Sequence, residues 1–283
     1  MQHVEFFDSE HFEKDYFRVP PPDSLSPYID FIWETRFDEL LQQYPKGFSD
    51  VLFPNIGYTY LINLGTPFVM QIDNERFEMK TDGFLPRPNS IECHHQQGNR
   101  LFGIKFKISP VLFEKKVNFS EYKGFIFPLS YLAEQKMIDD IKKAPDFSKR
   151  VELVYKHYEQ MITNRKSSLK EISIVTDIIN SVSSTENISV SIEELAQQHK
   201  ISTRTLQRYF EKCIGISTKQ ALQILRIRKA ANHLVASPKT FDYLKYGYYD
   251  HSHFHKHLKQ FLQKETLQRI KPHLQLLSRK QKT

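Results

Sequence analysis

The sequence predicts an α+β protein, with a β-rich N-terminal domain followed by an all-α C-terminal domain. Short apolar runs broken by Pro, Gly and Asn continue to about residue 130, as in a sandwich or barrel of short strands. From Leu132 onward the apolar residues recur every three or four positions, which is typical of amphipathic helices. Positive charge is concentrated at the end of the chain. Residues 186–283 carry 18 Lys and Arg against 7 Asp and Glu, whereas residues 1–185 carry 22 against 26.

Several N-terminal strands are predicted by alternation and by turn residues. Residues 103–108 alternate between apolar residues and other residues, which predicts a half-buried strand with Lys105 and Lys107 on the water-facing side. Residues 68–79 predict a hairpin that turns at Asp73 and Asn74. Residues 58–64 predict a further strand that ends at Gly65.

An amphipathic helix is predicted over residues 147–163. Its apolar positions fall at helical spacing: Val151, Val154, Tyr155, Tyr158, Met161 and Ile162. Its charged positions are expected to face water: Lys149, Arg150, Glu152, Lys156 and Glu159. The short polar run 164–168 then predicts a linker between domains.

Residues 189–218 predict a short helix, a turn and a second helix. Ser191 is placed to cap a helix that ends near Gln198, and Ser202 is placed to cap the next one. Leu206 and Phe210 lie four residues apart and are expected to face inward. The outer face then carries Thr203, Arg204, Gln207 and Arg208. This is the helix-turn-helix arrangement, whose second helix reaches base edges in a major groove; the alternative is a plain helical hairpin with a polar exterior.

A second unit of the same kind is predicted near the end of the chain. Residues 241–246 predict a short helix, Gly247 supplies a turn, and Asp250 or Ser252 can cap a helix through Phe261. Residues 218–235 contain no Gly or Pro and predict a single connecting helix. Its 18 residues span about 27 Å, which is near the ~34 Å turn of B-DNA. Two recognition helices held at this distance fit successive major grooves.

These motifs resemble those of the AraC/XylS family of bacterial transcription regulators. The resemblance rests on residues 192–196 (IEELA), residues 202–210 (STRTLQRYF), Leu225-Arg226, and residues 247–254 (GYYDHSHF) with Phe261, and it covers about residues 170–270. Two features depart from the family pattern: residues 263–267 (QKETL) replace the usual Gly and Ser/Thr-Pro, and the first helix of the second unit is unusually aromatic.

The resemblance implies a regulator that binds double-stranded promoter DNA, with RNA polymerase as a partner if it is an activator. The basic C-terminal third favours the same ligand, although a solvated basic surface would give the same charge. The expected DNA-contacting residues are Ser202, Thr203, Arg204, Thr205, Gln207, Arg208, Lys212, Lys219, Lys229, Asp250, His251, Ser252, His253, His255, Lys256 and Lys259.

The N-terminal strands resemble the cupin-like, jelly-roll sensing domains that many members of this family carry. The similar segments are residues 50–55, 61–64 and 101–106. The resemblance implies that this domain binds a small-molecule effector and that the helix at 147–163 pairs two protomers into a homodimer. It also implies domain boundaries of 1–135 for the sensing domain, 136–166 for a dimerisation or linker segment, and 167–283 for the DNA-binding domain.

Neither histidine-rich segment is expected to hold a metal ion. On a helix only His251 with His255, or His253 with His257, could share one ion, because residues two apart point about 200° apart. In the N-terminal domain, residues 92–95 (ECHH) lack the ligand spacing of metal cupins, and adjacent histidines on a strand face opposite ways.

Catalysis, cofactors and membranes are not expected from the sequence. It shows no phosphate-binding glycine loop and no nucleophile elbow, so no catalytic residue or cofactor is predicted. The alternative function is a cupin-type metal enzyme that carries a basic accessory domain. The two cysteines, the acidic N-terminus and the absence of a long apolar run predict a soluble cytoplasmic protein.

Overall fold

The computed structural model describes residues 9–73, 75–108, 110–113, 117–122, 125–164, 170–184, 190–237 and 239–261. Strands occur up to residue 128 and helices dominate after it, which confirms the predicted β-rich and all-α parts. The strands are β1 (Tyr16–Val19), β2 (Ile29–Arg36), β3 (Phe48–Leu52), β4 (Tyr58–Asn63), β5 (Phe68–Ile72), β6 (Glu75–Met79), β7 (Gly83–Pro86), β8 (Ile91–His95), β9 (Arg100–Phe106) and β10 (Phe127–Pro128).

The described strands form two antiparallel sheets. One sheet has the order β1-β2-β9-β4-β7-β10 and the other has the order β3-β8-β5-β6. The predicted hairpin is confirmed, because β5 pairs with β6 and Phe68 lies opposite Met79. Its turn residue Asp73 has a φ of 50°. Apolar side chains of both sheets belong to one buried core.

Strand β9 differs from its prediction, because it is buried on both faces. It lies between β2 and β4, and Lys105 is only 1% exposed. The Lys105 ammonium group donates hydrogen bonds to the carbonyl oxygens of Ile56 and Phe106. The predicted exposure of Lys105 is therefore wrong. Lys107 is half-buried, and its ammonium group donates to the Ser26 carbonyl oxygen at 2.8 Å. Alternation identifies the two faces of a strand, but it does not show what covers each of them.

The helices are α1 (Ser9–Lys14), α2 (Asp38–Gln43), α3 (Gln135–Lys143), α4 (Phe147–Thr163), α5 (Lys170–Ser184), α6 (Ile192–Gln198), α7 (Thr203–Ile214), α8 (Thr218–Ala236) and α9 (His251–Phe261). Short 3-10 turns lie at Pro110–Phe113, Phe119–Tyr122, Leu129–Tyr131 and Tyr243–Tyr246. Helix α5 packs against α7 and α8, so it belongs structurally with the C-terminal helices.

Helix α4 has the predicted bounds, and its apolar face is covered within the chain. Val154 is fully buried, and the Tyr158 ring meets the Phe106 ring of β9 edge-on at 5.2 Å. Because these side chains belong to the core of the protomer, the apolar face of α4 is already packed within one chain, and pairing of two protomers by this helix stays a prediction.

Arg150 on α4 also differs from its prediction, because it is buried rather than facing water. Its Nη1 lies 3.1 Å from Glu34 Oε2, and its Nη2 donates to the Ala144 carbonyl oxygen at 2.6 Å. Glu34 on β2 is 2% exposed and is also bound by Arg100, whose Nη2 lies 2.6 Å from Glu34 Oε1. A buried carboxylate needs such partners, and the local sequence around Arg150 does not reveal it.

Contacts between the two parts of the chain include two that involve α7 and α8. Arg228 of α8 is 8% exposed, and its Nη1 donates to the Pro54 carbonyl oxygen at 2.8 Å. Gly215 ends α7 with a φ of 73°, and a Cβ atom there would lie 2.6 Å from the Phe119 carbonyl oxygen. A residue with a side chain is excluded at position 215 both by this conformation and by this contact.

In the part of the chain that the structure describes, none of the helices has the combination of length and apolar character that crossing a membrane requires.

Candidate nucleic-acid interface

The first helix-turn-helix unit has the predicted boundaries. The Ser191 hydroxyl oxygen accepts from the Glu194 backbone N–H at 3.1 Å, and the Glu194 carboxylate accepts from the Ser191 N–H at 2.8 Å. This capping box starts α6. Ser202 starts α7 by accepting from the Thr205 N–H at 3.1 Å. Leu206 and the other predicted inward residue are fully buried, as expected.

The outer face of α7 presents a small set of polar side chains. Thr203, Arg204 and Arg208 are exposed in the first two turns of the helix. The hydroxyl groups of Ser202 and Thr205 lie 2.9 Å apart and bond to each other at the N-terminus. Two guanidinium groups on one exposed helix face suit guanine edges and phosphates, because each offers several N–H donors in a planar fork.

Gln207 has a role that the sequence did not reveal. Its side-chain N–H donates to Glu211 Oε1 at 2.7 Å, and its Oε1 accepts from the Thr218 backbone N–H at 3.3 Å. Gln207 therefore ties α7 to the first residue of α8. Reading an adenine through this side chain would require both bonds to be given up.

The three lysines predicted around the first unit lie in different environments. Lys219 is exposed at the start of α8. Lys212 forms an ion pair with Glu171 of α5. The Lys229 ammonium group donates to the Val182 carbonyl oxygen at 3.1 Å, also on α5. Lys219 is the lysine of this set whose position suits a phosphate contact without a change inside the protein.

The second unit is shorter than predicted at its first helix. In place of a helix over residues 241–246, the structure has one 3-10 turn, Tyr243–Tyr246, capped by Asp242, which accepts from the Leu244 N–H at 2.9 Å. Three aromatic residues occur within residues 241–246, and such residues lose side-chain freedom in an α-helix. Gly247 follows with a φ of 70°, as a turn residue should.

Helix α9 begins where predicted and packs through aromatic side chains. Asp250 Oδ1 accepts from the His253 N–H at 2.7 Å, so Asp250 serves as the cap. Tyr248, Phe254 and Leu258 are buried beneath the helix. This cap role makes Asp250 a residue that positions the helix.

The four histidines of α9 divide into two pairs, as their spacing predicts. The rings of His251 and His255 have centroids 4.2 Å apart, and those of His253 and His257 are 4.8 Å apart. Tyr248 packs edge-on against both members of the second pair. His251 is exposed, whereas His253 is half-buried on the side that faces the core of the unit.

Among the remaining predicted residues of the second unit, Ser252 and Lys256 are exposed and His255 is half-buried. Lys259 lies within α9, but its side chain is outside the described part of the structure, as are residues 263–267.

We expect the second unit to lose stability as the pH falls below about 6.5, which is the ordinary histidine pKa. Burial lowers the pKa of His257, and the nearby His253, Arg226 and Lys256 lower it further. The folded state therefore binds fewer protons than the unfolded state between its lowered pKa and about 6.5, so protonation favours unfolding. Titration of the imidazole C–H resonances by NMR measures the pKa directly, and a value at or above 6.5 for His257 would contradict this prediction.

Comparison with known proteins agrees with the position of the helix-turn-helix region. A family model described as a helix-turn-helix domain matches residues 195–265. No curated protein sequence matches the chain. Solved structures of ToxT from Vibrio cholerae are similar: an apo variant is 9% identical, with 91% of this chain and 98% of that chain covered and a TM-score of 0.46.

Two further solved structures show the same level of similarity or less. The fatty-acid-bound wild-type ToxT from Vibrio cholerae is 9% identical, with 91% of this chain and 96% of that chain covered and a TM-score of 0.45. The AraC-like transcriptional activator CuxR is 9% identical, with 81% of this chain and 95% of that chain covered and a TM-score of 0.31. The sequence match and the capped pair α6 and α7 identify residues 195–265 as a helix-turn-helix domain.

Proposed function

We propose that this protein is a transcription regulator, and not an enzyme, that reads a specific promoter sequence with α7 and α9. The observation that carries the proposal is the capped helix α7, whose exposed face presents Thr203, Arg204 and Arg208. Helix α8 has 19 residues and spans about 28 Å between the two units. That length suits two helices in successive major grooves of one DNA duplex.

The expected contacts divide into those that read bases and those that hold phosphates. We propose that Arg204 and Arg208 in the first unit, and His251 in the second, contact base edges. Lys219 and Lys256 are exposed and hold phosphates. The other proposed contacts fall into three groups. Some lie at or near the starts of α7 and α9: Ser202, Thr203, Thr205, Asp250, Ser252, His253 and His255. Lys259 lies further along α9, and Gln207, Lys212 and Lys229 would first give up a bond within the chain.

The test compares a base-reading residue with a phosphate-holding residue. We expect Arg204→Ala to lower affinity for the specific promoter site by about 5- to 150-fold, because one bidentate contact to guanine contributes about 1–3 kcal/mol of discrimination. Affinity for random duplex DNA should change much less. Competition binding of the full chain, with labelled upstream DNA of its own gene and unlabelled random DNA, measures both affinities.

Lys219→Ala is the matched control, because Lys219 is also exposed, carries the same charge and lies beside the same unit. It should weaken specific and random DNA about equally. If Arg204→Ala loses no more specificity than Lys219→Ala, then α7 is not the reading helix and the proposed DNA surface is wrong.

The domain organisation and partners complete the proposal. We assign residues 1–135 to a cupin-like sensing domain, 136–166 to a connecting segment and 167–283 to DNA binding. The sensing assignment is supported by pairing between strands distant in sequence, such as β3 with β8 and β4 with β9. A homodimer on promoter DNA would use a surface other than the buried face of α4. If the regulator is an activator, RNA polymerase is its partner. The proposed compartment is the cytoplasm, where promoter DNA and RNA polymerase are found.

A small-molecule effector of the N-terminal domain fits the contact between the two parts of the chain. Arg228 bonds to Pro54, so a ligand that moves the segment after β3 would also move α8. Solved ToxT structures include complexes with an unsaturated fatty acid and with a naphthalenyl butenoic acid. A small carboxylic acid is therefore the first effector class to test in the promoter-binding assay.

A further inference from the structure

Three side chains with metal-binding atoms meet inside the N-terminal domain. Strands β3 and β8 are antiparallel partners, and Asp50 lies opposite Cys93. His95 lies two residues further along β8, so its side chain shares the face of Cys93. One carboxylate oxygen, the thiol sulfur and one imidazole nitrogen all lie within 4.8 Å of one another. All three residues are buried, with exposures of 0%, 2% and 3% in chain order.

We propose that Asp50, Cys93 and His95 bind a divalent cation of the zinc class. A tetrahedral ion with bonds of about 2.0–2.3 Å holds its ligand atoms roughly 3.3–3.8 Å apart, so the three atoms need to close by about 1.5 Å at most. This inference concerns the N-terminal domain and is independent of DNA binding.

Hydrogen bonds around His95 leave its second nitrogen facing a carboxylate. His95 Nδ1 lies 2.6 Å from Asn99 Oδ1, and because an amide oxygen only accepts, this nitrogen carries the hydrogen. His95 Nε2 lies 3.2 Å from Asp50 Oδ1. When His95 is neutral, its Nε2 and the Asp50 carboxylate oxygen both present lone pairs. A proton or a metal ion is therefore needed between or beside them. The bond from His95 Nδ1 to Asn99 also fixes the orientation of the ring for metal binding through Nε2.

The Asp50 carboxylate has a further need for a positive partner. Its Oδ2 is buried and has no hydrogen-bond partner among the residues described. The buried carboxylate can be stabilised by a proton or by a metal ion. A metal ion would also bind the Cys93 sulfur as a thiolate and so use all three groups. A proton would use only the carboxylate and the imidazole.

The ligand types and their enclosure select the class of ion. Thiolate and imidazole favour zinc, cobalt and similar ions, whereas magnesium and calcium prefer oxygen ligands. The Phe37 ring stacks on the His95 ring with centroids 3.8 Å apart, and Phe68 stacks on the same ring at 5.6 Å. The three ligands are closed from bulk solvent, and they leave the fourth tetrahedral position of the ion for a water molecule.

The sequence alone does not reveal this site, because the neighbours of Cys93 along the chain supply only one of its other two ligands. Glu92 and His94 occupy the opposite, half-exposed face of β8, as adjacent strand residues must. Asp50, the missing ligand, lies on another strand and becomes a neighbour only through the pairing of β3 with β8. The expectation of no metal among residues 92–95 is replaced by this proposal.

Cobalt substitution of the full chain tests the proposal. We expect the protein refolded with Co²⁺ to retain about one ion per chain after desalting, and to show sulfur-to-cobalt charge-transfer absorption in the near ultraviolet. Cys93→Ser should abolish that absorption, and Asp50→Asn or His95→Ala should lower the retained cobalt at least tenfold. Added Zn²⁺ should replace the bound cobalt and so remove the absorption. A chelator should lower the midpoint temperature of thermal unfolding of the wild-type protein.

Two control variants match these changes in residue type. Cys213→Ser removes the other cysteine, which is also buried but lies in α7, and it should leave the absorption intact. His94→Ala, on the opposite face of β8, should do the same. If the wild-type protein retains no ion and its midpoint ignores the chelator, or if the absorption survives Cys93→Ser, the cluster holds protons only and the proposal is overturned. The wild-type measurements decide the question even where a variant fails to fold.

Discussion

Raising the salt concentration from about 50 to 200 mM should lower the affinity of the full chain for its promoter DNA by about 10³- to 10⁵-fold, if it contacts six to ten phosphates. The reason is counterion release: each Lys or Arg that neutralises a phosphate frees a condensed cation, and added salt opposes that release. The C-terminal third supplies the required charge, since residues 186–283 carry 18 Lys and Arg. Fluorescence anisotropy over a range of salt concentrations gives the slope.

The slope also identifies individual phosphate contacts. Lys219→Ala should reduce the magnitude of the salt slope by about one. Lys142→Ala is a control on a distant helix, because Lys142 pairs with Asp82 in the N-terminal part at 2.8 Å and should leave the slope unchanged. Salt-independent binding, or no binding to any fragment of the promoter region, would contradict the proposed function.

Glu34→Ala should lower the free energy of unfolding by about 3–5 kcal/mol, which is the usual cost of leaving a buried charge without its partner. Glu34 and Arg150 are both nearly inaccessible and lie 3.1 Å apart. Without the Glu34 carboxylate, the Arg150 guanidinium would keep its bond to Ala144 but lose its opposite charge. Urea denaturation followed by circular dichroism measures the loss.

Arg100→Ala provides the matched control on the same carboxylate. The Arg100 side chain is 35% exposed, so it exchanges its bond to Glu34 for water at low cost, and a loss of about 1 kcal/mol is expected. If Arg100→Ala and Glu34→Ala destabilise the protein equally, the buried pair with Arg150 does not dominate the energetics of this cluster.

Features specified by nearby residues were predicted well from the sequence. The starts of α6 and α7 follow from Ser191 and Ser202, because a cap bonds to an N–H group only two or three positions away. The β5–β6 hairpin follows from its own turn in the same way. The exposed face of α7 follows from the positions of Leu206 and Phe210, which mark the buried face of the same helix.

Features that depend on distant parts of the chain were not predictable in this way. Lys105 is buried because the segment at Ile56 covers it, and Arg150 is buried because Glu34 lies beneath α4. Gln207 looked like a base-reading residue, but its partner Thr218 belongs to the next helix. Charged and amide side chains can be buried when groups distant in the sequence form hydrogen bonds with them. The spacing of residues in the sequence does not identify those groups.

The contact of Arg228 with Pro54, together with Gly215 against Phe119, has a thermodynamic consequence for both ends of the molecule. If DNA binding by the helices alters this contact, then the affinity of the N-terminal domain for any ligand that depends on it changes by the same factor as that ligand changes the affinity for DNA. If both ligands bind as proposed, promoter DNA would act as an effector of the N-terminal domain, and a ligand bound there would be held more tightly or more loosely on the operator than in free solution.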